Sequence, residues 1–423
     1  MKVLIIGGGG REHALAWKVA SDPGVDSVLA APGSAGIAQI AECADVGVGD
    51  LDGLARLARD ACVDLTLVGP EAPLAAGLAD RFRADGLRVF GPGAAGAKLE
   101  ASKAFTKKVL VDAGVPTAAY GEFDDARAAR AFARELGAPL VVKADGLAAG
   151  KGVIICETLD EADAAIDGML EKGSFGEAGA RVVVEEFLRG EEASFIALTD
   201  GRDAVALAPS QDHKAVFDGD RGPNTGGMGA YSPAPVVTDA LAEDIMRTVI
   251  EPTIGQLRSQ GIDYRGVLYA GLMIDGTAAK VLEYNVRFGD PECQPLMLRL
   301  ESSLVELIDA CIDGNLGDCA ATWHPGSAAC VVMASGGYPG SHETGKVITG
   351  IDEACSDADV EVFHAGTRRD GDRWLTAGGR VLGVTARGDS IETALERAYG
   401  GVARIGFDGA HHRKDIGHRA LTG

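Results

Sequence analysis

The chain has 423 residues, 46% of them hydrophobic, and a formal net charge of −22. That length exceeds one ordinary domain, so two to four are expected, and the acidity excludes a surface built to coat nucleic acid. The eight cysteines form no Cys-x-x-Cys pair and no dense framework, which excludes a zinc ribbon and a disulfide scaffold. The opening MKVLIIGGGG is a strand and a glycine turn rather than a signal peptide, and no apolar run is long enough to span a bilayer. A cytoplasmic monomer that handles small molecules, with no nucleic-acid or membrane partner, is expected.

Residues 1 to 100 alternate between strands (Val3 to Ile6, Val28 to Ala30, Leu65 to Val68, Arg88 to Phe90) and helices (Glu12 to Ala20, Leu51 to Asp60, Ala75 to Ala84). That alternation predicts an α/β domain with a doubly wound parallel sheet, whose ligands lie at the carboxyl ends of its strands. Those ends carry Gly7 to Glu12, Pro32-Gly33-Ser34, Gly69-Pro70-Glu71 and Gly91-Pro92-Gly93. The glycine run is no dinucleotide fingerprint, because Glu12 stands where its third glycine belongs and the second strand ends without an acid. Bare amides at a helix start, followed by Arg11, suit a phosphate monoester.

Gly91 to Gly96 reads as a linker, and Lys98 to Ala113 as a helix carrying Lys103, Lys107 and Lys108, two of them solvated. A strand ending at Lys143 leads into Ala144 to Val153, which is almost a P-loop. Only three residues separate Gly146 from Gly150, and Gly152 replaces the Ser or Thr that would hold Mg²⁺. A glycine hairpin with Lys151 at its tip, joined by Lys143, suits a triphosphate; a plain hairpin is the bland alternative. Arg181 to Leu188 and Ala193 to Thr199 read as a second hairpin around Arg189-Gly190-Glu191-Glu192, whose acids suit an adenine amine, ribose hydroxyls or plain solvent. The polar, glycine-rich run from Ser210 to Tyr231 is too long for an ordinary loop. Asp212 and Lys214 alternate onto one face there, while His213 reads as structural.

The stretch Ala278 to Glu292, AAKVLEYNVRFGDPE, carries the strongest chemistry. On a strand, Glu283, Asn285 and Arg287 share one face and Tyr284, Val286 and Phe288 the other. A carboxylate and an amide oxygen suit a hard cation such as Mg²⁺, and a guanidinium beside them suits phosphate or carboxylate oxygens. Gly266 to Ile274 pairs with this strand as a hairpin. A last α/β unit, with few clustered titratable groups, walls one side of the cleft.

The blocks GGGGREHAL, GPEAPL, VVKADGLAAGKGV, SQDHK, GPNTGGMGAYSP, LEYNVRFGDPE, GGYPG, VFHAGT, GGRVLGVTA and DIGHRAL resemble, in order, those of the glycinamide ribonucleotide synthetase family (phosphoribosylamine–glycine ligases) of the ATP-grasp superfamily. Ser34 departs from the asparagine usual there, and no fused downstream domain is expected. The resemblance implies an N-terminal substrate-binding α/β domain (1–101), a central ATP-grasp α+β core (102–322) with a mobile lid (about 118–190), and a small C-terminal α/β domain (323–423). It implies ligation of glycine to 5-phosphoribosylamine with ATP, in purine synthesis. It assigns ATP to Lys103, Lys143, Gly146, Gly150, Lys151, Gly152, Glu185, Phe187 and Glu192, and Mg²⁺ or Mn²⁺ to Glu283 and Asn285. Gly9, Gly10, Arg11, Glu12, Gly33, Pro70, Glu71, Asn224, Gly226 and Gly227 would bind substrate, and Asp212, Lys214, Arg287 and Asp290 would face the reacting groups. Another ATP-grasp carboxylate–amine ligase, or a non-catalytic nucleotide sensor, is the alternative.

Overall fold

The computed structural model describes residues 1–146, 152–172 and 176–421. The first sheet is parallel and, among the described residues, five-stranded, in the order Glu42–Cys43, Ser27–Pro32, Lys2–Gly7, Leu65–Val68, Val89–Phe90. Successive side chains of Lys2–Gly7 serve opposite faces. Leu4 and Ile6 join the core that holds Leu54, Ala55 and Ala58 of helix Leu51–Asp60. Val3 and Ile5 pack with Ala14, Leu15 and Val19 of helix Gly10–Ala20. Both faces are therefore covered, as a parallel sheet requires.

Three helix boundaries differ from the sequence reading. The stretch 75–84 is two short helices, Glu71–Ala75 and Leu78–Ala84, split at Gly77 in the left-handed region (φ +90°). The expected linker already contains the start of helix Ala94–Ala101. The single helix expected over 98–113 breaks at Ser102, whose hydroxyl accepts from the Phe105 amide at 3.1 Å and caps a new helix, Lys103–Asp112.

Two antiparallel sheets follow. One runs in the order Tyr120–Phe123, Val182–Glu186, Leu140–Ala144, Val153–Cys156 over its own small core of Ala129, Leu140, Val142 and Val184. The other runs Ala204–Ala206, Glu191–Thr199, Gly266–Asp275, Ala278–Asn285. Val182–Glu186 and Glu191–Thr199 thus lie in different sheets and are no hairpin; residues 187–190 cross between the sheets. The hairpin of Gly266–Asp275 with Ala278–Asn285 is as expected, with a bulge at Leu282, since Gly271 faces Glu283 while Leu272 faces Val281. The strand ends at Asn285, short of the expected Arg287, yet Tyr284, Val286 and Phe288 are buried while Glu283, Asn285 and Arg287 remain partly open.

The last sheet joins strands far apart in sequence: Gln211–Asp212, Gly229–Ser232, Ser327–Ala334, Arg380–Gly388, Val360–His364. It meets the first domain at two buried histidines. The His364 amide donates to Nδ1 of His13 at 2.8 Å, so that nitrogen must keep its lone pair. Burial, then the neighbouring His364, lowers His13 from 6.5 to about 3; burial and Arg369 lower His364 to about 4. Both rings bind a proton more tightly in the unfolded chain. Their contribution is complete above pH 6.5 and is lost as pH falls toward about 4 for His364 and about 3 for His13. Denaturant unfolding should show stability falling through that window, less steeply in His13→Gln; equal slopes in the two proteins would contradict it.

Candidate active site

The two antiparallel sheets face each other across a cleft of about 700 Å³. At one end the carboxylate of Glu185 is buried, with Oε2 3.1 Å from Lys107 Nζ and 3.0 Å from Lys143 Nζ. Its other oxygen, Oε1, has no hydrogen-bond partner among the described residues. A buried acceptor left open costs free energy unless a ligand donor meets it. Val141, Ile155, Leu188, Met273 and Leu282 supply apolar walls around it. Lys107, read as one of several helix lysines, is nearly inaccessible, whereas Lys108 is solvated. Burial lowers Lys107 to about 8 even though Glu185 opposes the shift.

Midway, Lys103 Nζ reaches the Gly146 carbonyl at 3.2 Å. Burial lowers its pKa, with Glu283 partly offsetting that. Lys214 Nζ lies 2.6 Å from Glu192 Oε2 and 3.7 Å from Asp212 Oδ1. Burial opposes the Lys214 charge, but Asp212 and Glu192 outweigh it and hold the ammonium firmly protonated. Lys214 in turn draws Glu192 below its ordinary range. Asp212 is different. Burial, reinforced by Glu292 and Glu192, outweighs Lys214 and pushes its carboxyl up to about 7. Glu292 lies behind, accepting from Tyr269 Oη at 2.5 Å and Ser194 Oγ at 3.1 Å.

At the far end Arg287 is gripped by two carboxylates. Its Nη2 lies 2.8 Å from Glu100 Oε1 and its Nε 3.4 Å from Glu71 Oε2. The second Glu100 oxygen accepts from the Val286 amide at 2.8 Å. Burial opposes the Arg287 charge, but Glu100 and Glu71 raise its pKa. Burial pushes Glu100 up more than Arg287 pulls it down, while Glu71, nearer solvent, is held low by Arg287 and Arg11. Arg11 pairs with Glu12 at 2.6 Å and donates to the Phe288 carbonyl at 3.1 Å. Asp290 meets Arg380 at 3.0 Å and accepts from Gln294 at 2.9 Å.

The cleft brings together Arg11, Pro70, Glu71, Lys103, Lys143, Gly146, Gly152, Glu185, Phe187, Glu192, Asp212, Lys214, Asn224, Gly226, Glu283, Asn285, Arg287 and Asp290. Gly9, Gly10, Glu12, Gly33 and Gly227 are not among its lining residues. The Gly9 amide is not bare, because it donates to Glu12 Oε2 at 2.7 Å. Glu12 fills the space under the strand ends so tightly that a Cβ on Gly69 would come within 2.2 Å of it. Gly227 (φ +112°) lets the 224–229 turn press on Pro291, where a Cβ would lie at 2.3 Å. Gly150 and Lys151 lie outside the described residues. Ser34 accepts from the Ile37 amide at 3.3 Å. Glu100, Lys107, Glu292 and Arg380 are site residues that sequence reasoning missed; each is a charged residue on a helix or near a strand end, with no local pattern to distinguish it from solvated surface.

Family models give the clearest comparison. The phosphoribosylglycinamide synthetase N domain matches residues 1–100, its ATP-grasp (A) domain 101–293 and its C domain 328–419. The chain belongs to the phosphoribosylglycinamide synthetase family. A phosphoribosylamine–glycine ligase of Allochromatium vinosum is 57% identical over 426 residues, covering 100% of this chain and 99% of the relative. The crystal structure of the Thermotoga maritima phosphoribosylamine–glycine ligase superposes with a TM-score of 0.85 at 31% identity, covering 98% of this chain and 100% of that one. The biotin carboxylase domain of Hydrogenobacter thermophilus 2-oxoglutarate carboxylase, in complex with MgADP, shares the fold at 16% identity and a TM-score of 0.76, covering 97% of this chain and 91% of that one. As a member of this family the chain is an ATP-dependent ligase with an ATP-grasp core.

The donor chemistry of this synthetase fits a hard metal ion. Glu283 and Asn285 place a carboxylate and an amide oxygen along one strand, and neither side chain has a hydrogen-bond or ion-pair partner among the described residues. No group of three or more His, Cys, Asp or Glu gathers there among the described residues. Turnover that uses the Asp212 carboxylate should fall as pH drops through about 7. Glu292→Gln removes a negative neighbour and should move that limb of kcat/KM to lower pH; an unmoved limb would separate it from Asp212.

Proposed function

We propose that this chain joins glycine to 5-phosphoribosylamine at the expense of ATP, giving glycinamide ribonucleotide, ADP and phosphate in purine synthesis. The observation that carries the reading is a single cleft running from an orphaned acceptor on Glu185 to a twice-gripped Arg287. A carboxylate is a poor electrophile. Transfer of the γ-phosphoryl group to a glycine oxygen forms a C–O–P bond, releases ADP and leaves glycyl phosphate, whose phosphate departs readily. The ribosyl amine then attacks the carbonyl, loses a proton and expels inorganic phosphate. No protein nucleophile is required, so positioning and fixed charge supply most of the rate.

In this assignment Glu185 Oε1 accepts from the adenine amine and the Phe187 backbone meets the ring edge. The second Glu192 oxygen takes a ribose hydroxyl, and Lys103, Lys143 and the Gly146–Gly152 loop hold phosphates. Glu283 and Asn285 would hold Mg²⁺ or Mn²⁺, which when bound neutralises phosphate charge. Gly9, Gly10, Arg11, Glu12, Gly33, Pro70 and Glu71 form the phosphoribosylamine end, with Asn224, Gly226 and Gly227 across from them. Arg287 stabilises charge on the transferring phosphoryl group, Lys214 and Asp290 orient the reacting groups, and Asp212 receives the amine proton. The separate core beneath Val182–Glu186 supports a lid over about 118–190 that excludes water from the acyl phosphate. The divisions at 101 and 322, a monomeric state and a cytoplasmic location without nucleic-acid or membrane partners belong to the same proposal; among the described residues no helix is long and apolar enough to cross a membrane.

Phosphate release from ATP and Mg²⁺ is expected to need both glycine and phosphoribosylamine, the latter generated in place from ribose 5-phosphate and ammonia. Release with a different carboxylate would overturn the substrate, and ATP binding without release would point to a sensor. Arg287→Ala is expected to stay folded at a lower thermal midpoint, because Glu100 and Glu71 lose their partner, and to lower kcat of the folded enzyme roughly 10²- to 10³-fold; near-normal turnover would remove Arg287 from the reaction.

A further inference from the structure

Asp212 and Lys214 are held from behind by the far end of the chain. Strand Gln211–Asp212 is the edge of the last sheet, paired to Gly229–Ser232, which pairs in turn with Ser327–Ala334. Beyond Lys214 the chain makes a small hairpin, Ala215–Phe217 against Arg221–Asn224. Residues 411–419 fasten that hairpin at several points. His411 Nε2 bonds the Val216 carbonyl at 2.8 Å, the Lys414 amide donates to Asp218 at 2.8 Å, and the Gly219 amide donates to Asp415 at 2.7 Å.

The centre of this fastening is Arg413, which is fully buried. It grips Asp415 through two nitrogens at 2.7 and 2.8 Å, Asp220 at 2.8 Å and the Ala215 carbonyl at 3.2 Å. The second Asp220 oxygen takes Arg419 at 2.8 Å. Asp220 therefore joins two arginines at the hairpin tip, with its own backbone in the left-handed region (φ +54°). From the same segment the Gly417 amide donates to His213 Nε2 at 3.3 Å, and His213 lies between Asp212 and Lys214 in the chain. Charge-assisted, bidentate contacts of this kind fix direction as well as distance. Arg419 is also near enough to act electrostatically on Glu192 and Asp212. The C-terminal region thus holds a cluster of titratable groups that its sequence did not suggest.

We propose that the C-terminal segment 411–419 positions Asp212 and Lys214 for the reaction, with Arg413 and Arg419 acting through Asp220 as positioning residues. The catalytic part of this inference rests on the roles given to Asp212 and Lys214 above; the mechanical part does not. Neither arginine lines the cleft; Arg413 acts through the strand, and Arg419 acts through the strand and through its charge on Glu192 and Asp212.

The test uses the full chain with Arg419→Gln, Asp220→Asn, Arg413→Ala and Arg413→Lys. Arg419→Gln and Asp220→Asn should speed hydrogen–deuterium exchange of peptide 211–217, lower kcat about 10- to 100-fold and leave KM for ATP nearly unchanged; the thermal midpoint should hold in Arg419→Gln and fall in Asp220→Asn, where buried Arg413 loses one of its carboxylates. Arg413→Lys should recover part of the kcat lost in Arg413→Ala. Exchange at 211–217 equal to that of the unaltered chain would overturn the clamp. Faster exchange with kcat unchanged would overturn its catalytic role, as would a loss of kcat explained by the fraction unfolded. If the unaltered chain fails to turn over glycine and phosphoribosylamine, the functional reading fails, while exchange still decides the clamp.

Discussion

The grip of two carboxylates on Arg287 is the constraint on which the site depends. A buried guanidinium is tolerable only when paired, and its partners come from elsewhere in the chain. Glu71 opens a helix after a strand of the first sheet, and Glu100 lies in the last turn of the next but one. Because Glu100 also takes the Val286 amide, it fixes the backbone that leaves strand Ala278–Asn285. Helices Glu71–Ala75 and Ala94–Ala101 and the exit of strand Ala278–Asn285 are thereby locked to one charge.

The remaining charges follow the same logic. A chain with net charge −22 lines its cleft with Lys103, Lys143, Lys214, Arg11 and Arg287, most of them already engaged by an acid or a carbonyl. Such pairing keeps each cation in place before an anionic substrate arrives, so little reorganisation is left for the transition state. Asp212 is the exception. It carries less compensation than burial demands and titrates near neutrality, which suits a group that gains and loses a proton in each cycle.

Local patterns in the sequence carried the architecture well. The apolar strands of the first sheet, the hairpin that ends at Asn285 and the alternation around Glu283 are all statements about neighbours in the chain. What escaped was set at a distance. Val182–Glu186 and Glu191–Thr199 resemble a hairpin in sequence, but the four residues between them cross from one sheet to another. Ser102 broke a helix that propensity would continue, because its hydroxyl both caps Lys103–Asp112 and meets Asp145 at 3.0 Å. Glu100 and Arg380 gain their meaning only from partners far away in the chain, and Arg413 ties neighbouring Asp415 to the distant Asp220. Substrate identity was legible through the family resemblance, whereas spacing alone gave only phosphate, cation and carboxylate chemistry.

Activation of the glycine carboxylate by phosphoryl transfer is the central chemical claim. Turnover with glycine labelled with ¹⁸O in its carboxylate, followed by mass analysis of the released phosphate, tests it most directly. The account predicts one labelled oxygen carried from glycine into each phosphate. Phosphate free of label while glycinamide ribonucleotide accumulates would mean that the carboxylate is never phosphorylated, and would contradict it.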